Sequence, residues 1–170
     1  MLNERIEKVL NEQVEKEGYS SILYLAMASW AEVNGFEGTA QWLYAQADEE
    51  KMHMLKIVSY INERGGKAII PAFQKPPEDF GEVFSMFDEV LKHEQYITAS
   101  INEIVGVCVE EKDFTTQNWI QWFVTEQIEE EASAQAIIDK LNLLGKERNN
   151  LYMFDRDIMS MRGEEDAAEG

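Results

Sequence analysis

Four glutamates interrupt helical stripes that are otherwise apolar. Core-facing positions on a helix recur every three to four residues. One such row reads Val83, Phe87, Val90, Glu94, Ile97, Ile101, Ile104, Cys108, and Glu94 alone breaks it. A second row, Ile120, Phe123, Gln127, Glu130, Ala134, Ile137, Leu141, Leu144, is broken by Gln127 and Glu130. Two more rows are Leu10, Val14, Glu17, Ser21, Tyr24, Ala28 and Leu43, Ala47, Glu50, Met54, Val58, Ile61. His53 follows Glu50 by three residues, so the two share a helix face. A carboxylate carried into an apolar interior without a partner costs several kcal/mol. No lysine or arginine falls at the same depth, so a cation from solution is the simplest remedy. Two divalent cations neutralise the charge of Glu17, Glu50, Glu94 and Glu130, and His53 adds a neutral nitrogen. Oxygen donors with a little nitrogen suit iron or manganese better than calcium or a structural zinc.

The elements that carry these residues are long. Helical segments are expected at about 3–33, 40–64, 82–110 and 114–144, with a shorter fifth at about 146–161. Thr39 reads as an N-cap and Gly145 as a stop. The prolines Pro71, Pro76 and Pro77 all lie in the connection at about 66–81. Short turns make the first two and the next two segments antiparallel hairpins. The long connection can cross the length of a bundle. The expected fold is therefore all-α: an antiparallel four-helix bundle of two hairpins with a long crossover, plus a short C-terminal fifth helix. Residues 1–161 form one domain, and 162–170 form an acidic, disordered tail. Depth along the bundle follows from the turns. Glu94 and Glu130 lie equally far from a turn near residue 112. Glu17, Glu50 and His53 lie at comparable distances from a turn near residue 36. All five fall in one mid-bundle layer.

Composition agrees with cation chemistry. The formal charge is −18, from 33 acidic against 15 basic residues in a chain of 170. Such a surface repels nucleic acid and anionic membrane and attracts cations. Cys108 is the single cysteine, so no internal disulfide forms, and its apolar neighbours make it a core residue. No apolar leader and no membrane-spanning stretch is seen, so the expected location is the cytoplasm.

The ordered set Glu17 with Tyr24 seven residues on, Glu49-Glu50-x-x-His53, Glu94, and Glu126-Gln127-x-Glu129-Glu130, with Trp122 just ahead, resembles the ferritin family over nearly the whole chain. By that resemblance Glu17, Glu50 and His53 hold one iron, and Glu50 bridges to a second iron held by Glu94 and Glu130. Gln127 assists by hydrogen bonding, and Tyr24 is a hydrogen-bonding or redox-active neighbour. Glu49, Glu126 and Glu129 resemble third-iron ligands of prokaryotic non-haem ferritins, and they read equally well as solvated acids. The implied activity is a ferroxidase: Fe(II) is oxidised by O2 or H2O2 and stored as mineral in a homo-oligomeric shell of about 24 subunits, with the fifth helix at four-fold axes. No haem is implied, because Lys51 stands where bacterioferritins carry a haem-binding methionine; Met52 and Met54 read as packing residues. Gln127-x-x-Glu130 replaces the second Glu-x-x-His of bacterioferritins and most di-iron oxygenases. Gln117 and Ile120 replace the acidic pair that lines animal ferritin pores. A rubrerythrin-like di-iron peroxidase or oxygenase is the alternative, and it wants the second Glu-x-x-His and paired cysteines. A non-catalytic acidic subunit is a third.

Overall fold

Long runs free of proline and rich in Glu, Lys, Leu, Ala and Gln favour uninterrupted helices. The structure is a computed structural model and describes residues 2–162. It contains α1 (Glu4–Val33), α2 (Glu37–Glu63), α3 (Val83–Glu110), α4 (Phe114–Leu144) and α5 (Arg148–Asp157), followed by a 3-10 turn at Ile158–Met161. Of the expected tail, 163–170 lie outside the described residues, while Arg162 is held against α2 as described below. No helix among the described residues is long and apolar enough to cross a membrane.

Local chemistry sets the helix ends. The Asn3 side chain accepts from Arg5 N–H at 2.8 Å, and Asp113 accepts from Thr116 N–H at 3.0 Å, so each caps its helix. The start of α2 departs from expectation. It begins at Glu37, ahead of the cap expected at Thr39. The reason lies in α5. Asp155 accepts from Gly38 N–H at 3.0 Å, from Thr39 N–H at 2.8 Å and from the Thr39 hydroxyl at 2.7 Å. A carboxylate from another helix thus satisfies donors that a local cap would serve.

Gly38 is what permits that approach. A Cβ added there would lie 1.8 Å from the Asp155 carbonyl oxygen, which is backbone and cannot step aside. Gly38→Ala is expected to lift α5 off α2 and to destabilise the chain by about 1–3 kcal/mol. Thermal unfolding measures this; an unchanged midpoint would show that α5 does not depend on the contact.

The residues between α2 and α3 run beside α1 along its length. Leu2 N–H donates to the Arg64 carbonyl at 3.0 Å, Ile69 N–H donates to Asn11 Oδ1 at 2.7 Å, and Trp30 Nε1–H donates to Asp79 Oδ1 at 3.0 Å. The crossover therefore carries the chain from one end of the bundle to the other, as its length requires.

Two apolar clusters make up the core. One joins the late part of α1 (Leu23 to Ala31), the early parts of α2 and α3, the late part of α4, and Phe154 and Ile158. The other joins the early part of α1 (Ile6 to Val14), the late parts of α2 and α3, and the early part of α4. This membership shows that α1 and α4 run one way and α2 and α3 the other. It also leaves a gap on every long helix: Glu17 and Ser20 on α1, Glu50 and His53 on α2, Glu94 on α3, Gln127 and Glu130 on α4, all buried.

Two of the expected inner rows drift by one residue. On α2 the buried stripe passes from Glu50 through His53 and Ile57, while Met54 and Val58 are only half-buried. On α1, Ser20 is buried and Ser21 is half-buried. With 3.6 residues per turn, steps of three and four compete, and pattern alone does not decide between them. Met52, read as a packing residue, is exposed.

Candidate metal centre

The gap between the two apolar clusters is a polar layer. Glu17, Glu50 and Glu94 are each 1% exposed, His53 and Gln127 3%, and Glu130 8%. Apolar clusters pack on both sides of the layer, so it is held in register from above and below.

Two groups of ligand atoms converge there. Glu17, Glu50 and His53 offer one atom each, all within 4.8 Å of one another, and Glu50, Glu94 and Glu130 do the same. Glu50 belongs to both groups. A carboxylate shared by both groups suits a bridge between two ions. A third group, Glu49, His53, Glu126 and Glu130, meets the same 4.8 Å limit at the edge of the layer. Glu129 lines the adjoining cavity but is not a member of that group.

The hydrogen bonds show which atoms are left for a cation. Gln13 donates to Glu17 Oε1 at 2.8 Å. Gln46 donates to Glu130 Oε2 at 2.7 Å. Gln127 donates to Glu94 Oε2 at 3.1 Å, and the Tyr24 hydroxyl donates to Glu94 Oε1. By contrast, Glu17 Oε2 and His53 Nδ1 are buried without a hydrogen-bond partner, and they face each other at 4.0 Å. His53 Nδ1 lies 3.5 Å from Glu50 Oε2. Buried polar atoms in native proteins are almost always satisfied, and an exception calls for an unseen partner. A carboxylate oxygen and an imidazole nitrogen this close together are the kind of donors a divalent cation takes.

The electrostatics agree. Burial, then the nearby Glu94, pushes the Glu50 carboxyl well above the usual range. Burial, then Glu50 and Glu94, does the same to Glu130. Glu94 is raised by burial to about 7, against the lowering effect of its bonds from Tyr24 and Gln127. Burial raises Tyr24 well above its ordinary value, with Glu94 and Glu50 adding to it, so its proton stays on the phenol. Without cations the layer keeps protons; with them it can ionise.

The remaining residues have definite places. Trp122 presents its ring near His53 at 5.4 Å, edge to face, with Lys56 Nζ 3.6 Å from its ring centre. His93 turns away from Glu94, as its position one residue earlier requires, and pairs with Ser20 Oγ at 2.7 Å. Burial lowers it to about 4, so it stays neutral. The sequence reading missed Gln13 and Gln46. Each stands four residues before a converging glutamate, on the same face, and that spacing was the available signal.

Residues 7–144 match the Ferritin family, described as a ferritin-like domain. The chain belongs to the ferritin family. A probable bacterial non-heme ferritin-like protein of Haemophilus influenzae is 44% identical over 93% of this chain and 96% of its own length. The bacterial non-heme ferritin of Campylobacter jejuni is 39% identical over 95% and 96%. Among solved structures, an open pore ferritin from the hyperthermophilic archaeon Archaeoglobus fulgidus superposes with a TM-score of 0.92 at 39% identity, covering 96% of this chain and 100% of that one. The polar layer lies inside the matched ferritin region, and so does every residue of the three converging groups.

Proposed function

We propose that this ferritin stores iron and oxidises it on entry at a two-cation centre inside each subunit. Fe(II) is the substrate. Glu17, Glu50 and His53 bind one ion, Glu50, Glu94 and Glu130 bind the other, and Glu50 bridges. Gln127 and Gln46 orient Glu94 and Glu130, and Tyr24 holds Glu94 while keeping its own proton. Each Fe(II) gives one electron, and the pair with two protons reduces O2 to H2O2 or H2O2 to two waters. The resulting Fe(III) binds water and hydroxide strongly, so it leaves to nucleate mineral on acidic surface. Two ions held by one bridging carboxylate allow a two-electron step that separate sites do not. The observation that carries the reading is the facing pair of unsatisfied donors, Glu17 Oε2 and His53 Nδ1, beside the shared Glu50.

The same reading includes a homo-oligomeric shell of about 24 subunits around the mineral, a cytoplasmic location and no haem. The family resemblance and Lys51 after the bridging glutamate support these points. Glu49 and Glu126, with His53 and Glu130, serve a third, weaker iron position, and Glu129, a ligand expected by resemblance, lies beside it in the cavity lining.

Anaerobic Fe(II) titration followed by air tests the proposal. The expected result is two tightly held irons per chain, then a rapid rise in ferric absorbance and particles with a dense iron core. Fewer than one tight iron per chain would sink it.

A further inference from the structure

The rim of the metal layer carries a cation of its own. A cavity of about 310 Å³ opens onto Glu130 between α2, α4 and the 3-10 turn, and Arg162 forms part of its lining. Arg162 Nη2 donates to Glu49 Oε2 at 2.7 Å. Its Nη1 donates to the Trp42 carbonyl at 3.3 Å and to Gln46 Oε1 at 3.4 Å, and its guanidinium lies 5.8 Å from the Trp42 ring centre. The Arg162 side chain is only 11% exposed, so its position is built rather than incidental. Ile158, fully buried four residues earlier, anchors the turn that delivers it.

Glu49 thus has two claimants. It is bound by Arg162, and it also converges with His53, Glu126 and Glu130 at the third group. A divalent cation entering that group must share the Glu49 carboxylate with the Arg162 guanidinium, and like charges that close repel. Gln46 extends the link inward, because the amide whose oxygen accepts from Arg162 donates to Glu130.

We propose that Arg162 is a tethered counter-cation that gates the third cation position. While the turn after α5 is docked, Arg162 holds Glu49 and keeps the third position weak. A cation there competes with Arg162 for the Glu49 carboxylate. The inference rests on the two-cation reading above, and its test separates the two.

The test is anaerobic titration of the full-length chain with Co(II), followed by calorimetry and Co(II) absorbance, in the wild type, Arg162→Gln and Arg162→Lys. The wild type is expected to bind two Co(II) tightly and a third weakly. Arg162→Gln should leave the first two constants within about twofold and tighten the third about tenfold, the effect of removing one nearby charge. Arg162→Lys keeps the charge and should behave like the wild type. A third constant unchanged or weakened in Arg162→Gln overturns the gate while leaving the two-cation centre intact. Loss of the two tight sites in the wild type overturns the centre itself, and the gate with it.

Discussion

Glu50→Ala is expected to abolish both tight cation sites at once. Glu50 is the one carboxylate that belongs to each of the two inner groups. Removing Glu17 leaves the Glu50, Glu94, Glu130 group whole, and removing Glu94 leaves the Glu17, Glu50, His53 group whole. Glu50→Ala leaves neither. The initial rate of Fe(II) oxidation should fall on the order of 100-fold or more, because one truncation disrupts both ions and the bridge between them. Stopped-flow absorbance of ferric product reads the rate, and light scattering confirms that assembly is kept. An oxidation rate within fivefold of the wild type would show that the chemistry lies elsewhere.

The second large effect has opposite signs for stability and for binding. Glu94 goes from an ordinary value of 4.5 to about 7 on folding, chiefly through burial. A raised carboxyl favours the folded state fully below about pH 4.5, and that advantage is lost as pH climbs through about 7. By pH 8 the loss is about 3 kcal/mol for this residue alone. Glu50 and Glu130 shift the same way. The metal-free protein should therefore become less stable between pH 5 and pH 8, and saturating divalent cation should flatten the curve. Glu94→Gln removes the charge and keeps the shape. At pH 8 it should stabilise the metal-free chain by about 2 to 3 kcal/mol while losing one tight cation site. Denaturant unfolding across pH, with and without cation, measures both. A Glu94→Gln midpoint at or below the wild type at pH 8 would mean that Glu94 is already ionised and satisfied by protein partners.

Much of this was legible in the sequence, for a physical reason. A carboxylate in an apolar stripe is costly enough to stand out, so Glu17, Glu50, Glu94 and Glu130 could be found from periodicity. Their common depth followed from the turn positions, and the fold class from segment lengths and the confined prolines. Features that depend on contact between distant segments were not legible. Asp155 caps α2 from more than a hundred residues away, and the expected cap at Thr39 could not anticipate it. Arg162 falls in the tail expected at 162–170, while its position comes from contacts with Trp42, Gln46 and Glu49. The inner rows of α1 and α2 drifted because Ser20 against Ser21, and His53 against Met54, differ by a single step on a helix of non-integral pitch.

The division of the core into two apolar blocks has a consequence for how the centre tolerates a change in its cargo. Each long helix is packed in an apolar cluster on both sides of the layer, which restrains its backbone there. Adjustment then falls to rotations about the side-chain bonds of the glutamates, which cost little. On the proposed reading, the scaffold is a frame packed on both sides of the layer, and side-chain rotation is the cheap way to fit an ion that arrives ferrous and leaves ferric.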